Sequence, residues 1–142
     1  MGQARHVFVT ALSGKTQSAE ADFTSVDNNL GPRFGIVLRY QDPRNYYLIH
    51  RDTGGSSRLY ISKIVNGVQT DLAYASLGNP TKNVAFHMLG RVTGTTISLD
   101  FGGVNKLNVN DMTFTTGKVG IQLVNNQGTA QQQADNFRAT VQ

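Results

Sequence analysis

The sequence of 142 residues contains no cysteine and a single glutamate, Glu20. Without cysteine there is no disulfide framework, no thiolate metal site and no cysteine nucleophile. No stretch is apolar for long enough to cross a bilayer as a helix, so membrane insertion is not expected. Residues 1–12 lack a basic segment followed by an apolar run, which predicts that they are not a signal peptide.

The charge of the chain is also modest, with 13 basic and 9 acidic residues and a formal net charge of +4. Such a charge favours solubility and weak attraction to anionic partners. Nucleic-acid binding would need a denser basic stripe together with a matching motif. Neither is present, so nucleic acid is not an expected partner.

Alternation of apolar and polar residues with a period of two recurs along the chain, whereas helical periodicity is scarce. Gly, Thr, Asn, Val and Gln are abundant, which is typical of strands joined by tight turns. The clearest hairpin has Asn66-Gly67 between two apolar-rich runs, because Asn-Gly supplies the positive φ values of a type I′ turn. The predicted strands are 5–12, 18–26, 35–41, 45–52, 58–65, 68–76, 84–93, 95–101, 106–109, 118–125 and 133–141.

These short, regularly spaced strands predict one all-β domain over residues 1–142, an antiparallel two-sheet sandwich of the jelly-roll type. On strand 18–26, Ala19, Ala21 and Phe23 are expected to face the core. Strand 84–93 does not alternate cleanly, and a bulge near Leu89-Gly90 is expected to reset its phase.

Several segments together follow a known pattern. They are Phe34–Leu48, Arg58–Val68, Phe86-His87, Gly94–Ile97, Phe114–Ile121 and Ala134–Arg138. With them the chain resembles the concanavalin A-like lectin and glucanase superfamily, in particular laminin-G-like modules and non-catalytic domains related to family 16 glucanases. The resemblance implies a jelly roll at the cell surface or outside the cell. Against that family, one N-terminal strand is expected to be missing, and Phe86 stands where a tryptophan is usual.

Glycoside hydrolysis usually needs two catalytic carboxylates at a defined separation. The related glucanases carry them as Glu-x-Asp-x-Glu on one strand, and this chain has no such motif. Glu20 and Asp22 share a strand face, which we interpret as solvated or ion-paired. His6, His50 and His87 could each join a Ser-His-Asp arrangement, but no serine lies in a nucleophile elbow. The chain is therefore predicted not to be an enzyme.

Calcium is the one metal that the resemblance suggests. In relatives, an aspartate at the position of Asp135 helps to bind a structural calcium ion. Calcium takes several oxygen ligands, many of them backbone carbonyls that a sequence does not reveal. The usual partners lie on the N-terminal segment that this chain is expected to lack, so a structural calcium ion at Asp135 stays an open expectation.

A ligand groove is predicted from the faces of three strands. Ile36, Leu38, Tyr40, Tyr46, Leu48, Leu59 and Ile61 are assigned to the core, and Val37, Arg39, Tyr47, Ile49, Arg51, Arg58, Tyr60 and Ser62 to the opposite face. We expect Arg39, Tyr47, Arg58 and Tyr60 to line the groove, since tyrosine stacks on sugar rings and arginine donates forked hydrogen bonds. The alternative is that Arg39 and Tyr47 form a cross-strand pair on a solvated face.

Three functions remain open from the sequence. The first is a non-catalytic extracellular module that binds a carbohydrate, or less favourably a protein. The second is a structural subunit that self-assembles into a homo-oligomer through the sheet edge left by the missing strand, or pairs there with a neighbouring domain. The third and least favoured is a relative of glycoside hydrolases.

Overall fold

The computed structural model describes residues 4–26, 33–54, 57–125 and 132–142. The described residues form eleven strands joined by turns. The strands are β1 (Ala4–Gly14), β2 (Gln17–Ser25), β3 (Arg33–Asp42), β4 (Asn45–Asp52), β5 (Arg58–Val65), β6 (Val68–Ser76), β7 (Phe86–Thr93), β8 (Thr96–Phe101), β9 (Val104–Asn110), β10 (Gly117–Asn125) and β11 (Gln132–Val141). No helix in these ranges is long and apolar enough to cross a membrane.

Two antiparallel sheets make up the fold. One has six strands in the order β1-β10-β3-β4-β5-β6, and the other has five in the order β11-β2-β7-β8-β9. Strands far apart in sequence, such as β3 and β10, pair across each sheet. The sandwich of the jelly-roll type is thus confirmed, and β4, β5 and β6 span the predicted residues.

The core lies between the two sheets, where each contributes alternate residues. Ala19, Ala21 and Phe23 of β2 are buried there, as predicted, while Glu20 and Asp22 point outward and are partly exposed. Period-two alternation determines which face of β2 is buried, because only one of its faces is apolar.

The face assignment of β4 is a correction to the sequence analysis. Tyr47 and Ile49 lie in the core between the sheets, whereas Tyr46 and Leu48 belong to a second buried cluster on the outer face of the six-stranded sheet. Both faces of β4 are apolar, so alternation alone could not set its phase. Pairing with β3 sets it, because Ile49 lies opposite the core residue Ile36.

The bulge expected near Leu89-Gly90 was also wrong. The ladders of β7 with β2 and with β8 run through without a shift, so Met88, Gly90 and Val92 face the core and Leu89 faces out. A Cβ on Gly90 would lie 2.9 Å from the Ile49 side chain of the opposite sheet. Glycine is therefore used here for close approach of the two sheets.

The edge strands of the described sheets are β1 and β6 in one, and β11 and β9 in the other. β1 is long and carries two exposed apolar side chains, Phe8 and Leu12. That a further strand is missing from this edge, and that the edge pairs with another chain, both stay predictions.

Candidate functional site

The outer face of the six-stranded sheet is apolar at one end of β4 and β5 and polar at the other end. At one end Tyr46 and Ile64 are opposite each other and belong to the apolar cluster. At the other end Asp52 lies opposite Arg58, and His50 lies opposite Tyr60. Buried apolar packing thus gives way to polar and aromatic groups toward the end of β4 and the start of β5.

A bulge between β5 and β6 brings a further aromatic residue to this end. Ser62 lies opposite Asp71, but Ile61 lies opposite Ala73, so Leu72 is the extra residue. The shift places Tyr74 opposite Tyr60, and the ring centroids of these two tyrosines are 6.2 Å apart. The Tyr74 side chain is 59% exposed.

Arg58, Tyr60 and Tyr74 together form what we call the Arg58 patch. The Arg58 guanidinium lies 4.6 Å from the centroid of the Tyr74 ring. Tyr60 stacks on His50, with their centroids 4.9 Å apart and their planes 12° apart. Neither the guanidinium nor the two phenol hydroxyls hydrogen-bond to another described residue, so all three are available to a ligand.

Beside the Arg58 patch a closed ring of hydrogen bonds crosses four strands. Its members are Arg33 of β3, His50 and Asp52 of β4, Ser62 of β5, and Gln69 and Asp71 of β6. The Arg33 guanidinium donates to both oxygens of Asp52, at 2.9 and 3.0 Å. His50 lies fully buried between Asp52 and Ser62, with Nδ1 2.6 Å from Asp52 Oδ1 and Nε2 2.8 Å from Ser62 Oγ.

The ring closes through β6. The Ser62 hydroxyl lies 2.7 Å from Asp71 Oδ1, and the Gln69 amide donates to the same oxygen at 2.9 Å. Gln69 Oε1 in turn accepts from Arg33 at 2.9 Å. A closed network of this kind fixes the four strands relative to one another, and so fixes the surface on which Tyr60 stands.

The protonation states of His50 and Asp52 in this hydrogen-bonded ring depend on burial and on the neighbouring charges, which act in opposite directions. Burial lowers the pKa of His50, although the carboxylates of Asp52 and Asp71 act in the opposite direction. For Asp52, burial alone would raise the pKa, but the hydrogen bonds from His50 and Arg33 outweigh it and lower the pKa. With His50 neutral, the single hydroxyl hydrogen of Ser62 serves either His50 Nε2 or Asp71, since both are then acceptors.

Ser62, His50 and Asp52 have the hydrogen-bond pattern of a Ser-His-Asp triad. However, Ser62 is 0% exposed, and its hydroxyl also contacts the Asp71 carboxylate. A substrate carbonyl could not reach Ser62 Oγ without opening the sheet face. In this geometry the three residues support the surface rather than attack a ligand.

A pocket of about 360 Å³ opens next to the Arg58 patch. The described residues that line it are Gly54, Ser57, Arg58, Ser76, Leu77, Gly78 and Asn79. Most of the lining is polar, with hydroxyl and amide groups around one cationic side chain. The pocket extends the outer face beyond the ends of β5 and β6.

Of the four predicted groove residues, the structure brings together only Arg58 and Tyr60. Arg39 is 2% exposed, and its guanidinium donates to the backbone oxygens of Lys15 and Phe114. Tyr47 is buried in the core, where its hydroxyl donates to Asp111 and accepts from the Phe114 N–H. The assignment of Arg39 and Tyr47 to the groove is therefore corrected: both hold the segment between β9 and β10.

The suggested cross-strand pair of Arg39 and Tyr47 is wrong as well. Leu38, not Arg39, lies opposite Tyr47, and the β3–β4 ladder shifts between Leu38 and Asp42. Arg39 itself has a positive φ of 46°. This irregularity turns its side chain away from the sheet face, which a strict period of two could not reveal.

Glu20 and Asp22 share the outer face of the five-stranded sheet, as predicted, and Glu20 Oε2 lies 3.7 Å from His87 Nε2. His87 Nδ1 lies 2.7 Å from Asp22, which also accepts from Asn136, and these contacts lower the pKa of Asp22. Asp135 is exposed at a bulge of β11 and accepts from the Asn136 N–H. The described ranges hold no group of three metal-ligating side chains, and calcium at Asp135 stays a prediction.

Comparison with solved structures places this fold. The chain has the concanavalin A-like jelly-roll fold. It superposes on the carbohydrate-binding module CBM66 from Bacillus subtilis with a TM-score of 0.81 and 18% identity, over 95% of this chain and 81% of that one. The Bacillus licheniformis β-glucanase gives a TM-score of 0.71 and 15% identity, over 94% and 70%. Chicken galectin 2 gives a TM-score of 0.71 and 9% identity, over 96% and 100%. Neither a family model nor a curated protein matches the sequence.

Sequence reasoning missed Tyr74 and the buried ring. Asn66-Gly67 did signal the hairpin, but nothing in the pattern announces the extra residue Leu72. The hydrogen-bonded ring had one signal in the sequence: His50 and Asp52 are two residues apart on one strand and therefore share a face. Their partners Ser62 and Asp71 lie on other strands and emerge only from the pairing.

Proposed function

We propose that this chain is a non-catalytic carbohydrate-binding module that acts at the cell surface or outside the cell and binds its ligand at the Arg58 patch. One observation carries the proposal. Two tyrosine rings and a guanidinium, all with unused polar groups among the described residues, stand together on an open sheet face. Aromatic faces stack on the apolar faces of sugars, and the guanidinium and hydroxyls bind sugar hydroxyls.

The supporting structure fits this role. The hydrogen-bonded ring holds β3, β4, β5 and β6 together, and His50 stacks under Tyr60. A site held in place before binding loses little conformational entropy when the ligand arrives. The similarity of the fold to a carbohydrate-binding module and to a galectin supports a glycan as the ligand class.

A glycan array followed by titration calorimetry tests the proposal. Tyr74→Ala should weaken any glycan hit by about tenfold or more, since stacking on an aromatic ring is a main source of affinity at such sites. Phe8→Ala is the matched control, because Phe8 is also 59% exposed but lies on the far edge strand of the same sheet. A blank array with folded protein, or equal losses in both variants, would reject the proposal.

Self-assembly through β1 is the second candidate. The observation that favours it is the regular part of edge strand β1, which pairs with β10 without a shift over residues 4–9 and carries the exposed Phe8. Long apolar edges pair readily with other strands unless charges or bulges protect them. Light scattering after gel filtration should then show association that Phe8→Lys abolishes, and a monomer at all concentrations would exclude it.

A further inference from the structure

The charge of Arg58 is left unpaired by the residues that face it. Register places Asp52 directly opposite Arg58. Both oxygens of Asp52 are already engaged, Oδ1 by Arg33 and His50 and Oδ2 by Arg33. Arg33 is therefore neutralised, whereas Arg58 makes no ion pair with any described residue.

The orientation of Arg58 is restrained by Tyr74. The guanidinium carbon lies 4.6 Å from the ring centroid, a distance at which cation and aromatic ring attract each other. Beside this contact, the guanidinium N–H groups have no acceptor among the described residues. A planar guanidinium held in this way matches a carboxylate through two parallel hydrogen bonds.

The adjoining pocket has the composition of an anion site. Its described lining contains one cationic side chain, Arg58, and no Asp or Glu. Ser76 and Asn79 add a hydroxyl and an amide nitrogen that can bind a sugar, whereas the Ser57 hydroxyl is already engaged by the Asp52 and Gly78 carbonyls. Its volume of about 360 Å³ falls within the range of about 300–1,000 Å³ common for small-molecule sites.

The walls of this pocket are fastened together. The Gly54 N–H donates to Asn79 Oδ1 at 3.0 Å, and the Leu77 N–H donates to the Ser57 carbonyl at 3.1 Å. From the core, Arg51 donates to the Gly78 carbonyl at 2.5 Å. The two segments that line the pocket are thus tied to each other and to β4.

We propose that the ligand is an acidic glycan, in which the carboxylate of a uronic acid residue pairs with Arg58 and the sugar occupies the adjoining pocket beside Tyr74. This inference rests on the proposed function and narrows its ligand class. The net charge of +4 acts in the same direction, because it attracts polyanions at long range.

The experiment compares each acidic glycan with its own neutral form. An array carries oligosaccharides that contain galacturonate, glucuronate, mannuronate or guluronate, each beside its carboxyl-reduced counterpart, together with neutral glycans. We expect hits among the acidic forms and affinity lower by about tenfold or more for their reduced counterparts, as for a lost charge-assisted pair. The preference should weaken as salt rises.

Variants separate the pocket from general charge attraction. Arg58→Gln should abolish the preference for the acidic form, and Arg58→Lys should keep part of it because it retains the charge but not the fork. Arg5→Gln removes the same charge from an exposed position on the far edge strand and should leave the preference intact. Melting temperatures confirm that each variant is folded.

The outcomes distinguish the two proposals. Glycans that bind equally in acidic and reduced forms, or a preference that survives Arg58→Gln, would overturn the acidic ligand and leave the proposed function standing. Hits confined to neutral glycans would do the same. Folded protein that binds no glycan at all would overturn both.

Discussion

Tyr74 lies opposite Tyr60 across β5 and β6, with the two ring centroids 6.2 Å apart. The Asn66-Gly67 turn starts the ladder with Val65 opposite Val68, and an unbroken ladder would bring Ala73 opposite Tyr60. The extra residue Leu72 changes this pairing. A single bulge therefore decides that a second tyrosine stands on the outer face.

The contact between Arg58 and Tyr74 should be measurable as a coupling energy. In a double-mutant cycle of Arg58→Gln and Tyr74→Ala, we expect the effects on the free energy of unfolding to be non-additive by about 0.5–1 kcal/mol, the usual size of an exposed cation–π contact. Chemical denaturation of the four proteins measures it. Strictly additive effects would show that the contact does not form in solution.

Tyr47 should prove structural. Tyr47→Phe removes the hydroxyl that bridges Asp111 and the Phe114 N–H, so we expect the free energy of unfolding to fall by about 1–3 kcal/mol. Glycan affinity should not change. Tyr74→Phe, which removes a hydroxyl from an exposed ring, is the control and should leave stability unaltered.

Tyr47 should also make the free energy of unfolding depend on pH in the alkaline range. Burial, together with the hydrogen bond to Asp111, raises the pKa of Tyr47 from 10.0 to about 12. The folded state therefore holds this proton more tightly than the unfolded state, and its contribution is complete below pH 10 and lost as the pH rises toward 12. Tyr47→Phe should flatten this part of the stability profile, and an unchanged slope would contradict the assignment.

Gly90 tests the close approach of the sheets. In Gly90→Ala the new Cβ would lie 2.9 Å from the Ile49 side chain and 3.2 Å from that of Ile36. We expect a loss of about 1–3 kcal/mol in the free energy of unfolding, as for other overpacked cores. Gly78→Ala is the control, since its Cβ would meet nothing within 4 Å. Equal stability of the two variants would show that the sheets can move apart at little cost.

His50 gives a second pH dependence near neutrality. Burial lowers its pKa below 6.5, so the unfolded state takes up a proton before the folded state does. The free energy of unfolding should then fall as the pH drops below 6.5 toward the folded pKa of His50. His50→Gln should reduce this slope, and an unaltered slope in that variant would contradict the role of His50.

A change of stability with pH in the opposite direction would identify a charged His50. If stability rises as the pH falls through 6.5, the carboxylates of Asp52 and Asp71 outweigh burial and the ring holds a charged imidazole. Ser62 would then donate to Asp71 while His50 Nε2 donates to Ser62, which satisfies every contact in the ring.

The site was predicted in part from the sequence. Residues whose strand has a clear core face were placed correctly, and residues that depend on strand pairing were not. Arg58 and Tyr60 were placed correctly because Leu59 and Ile61 mark the core face of β5 without ambiguity. Tyr47 was misplaced because both faces of β4 are apolar, so no local pattern distinguishes its core face from its outer face. Arg39 was misplaced because the β3–β4 ladder shifts after Leu38 and Arg39 has a positive φ. Whether Arg58 and Tyr60 bind a ligand stays a prediction.

The sequence by itself determined the strands, the turns and the two-sheet sandwich, since alternation, Asn-Gly and the absence of helical periodicity are local properties. The tertiary structure decided which face of β4 is buried, where Leu72 interrupts the ladder, and which side chains complete the ring around His50. These features depend on the register and bulges with which β3, β4, β5 and β6 pair, and on which face of each strand the second sheet covers. Such pairing is set by the packing of both sheets against each other, which no single segment encodes.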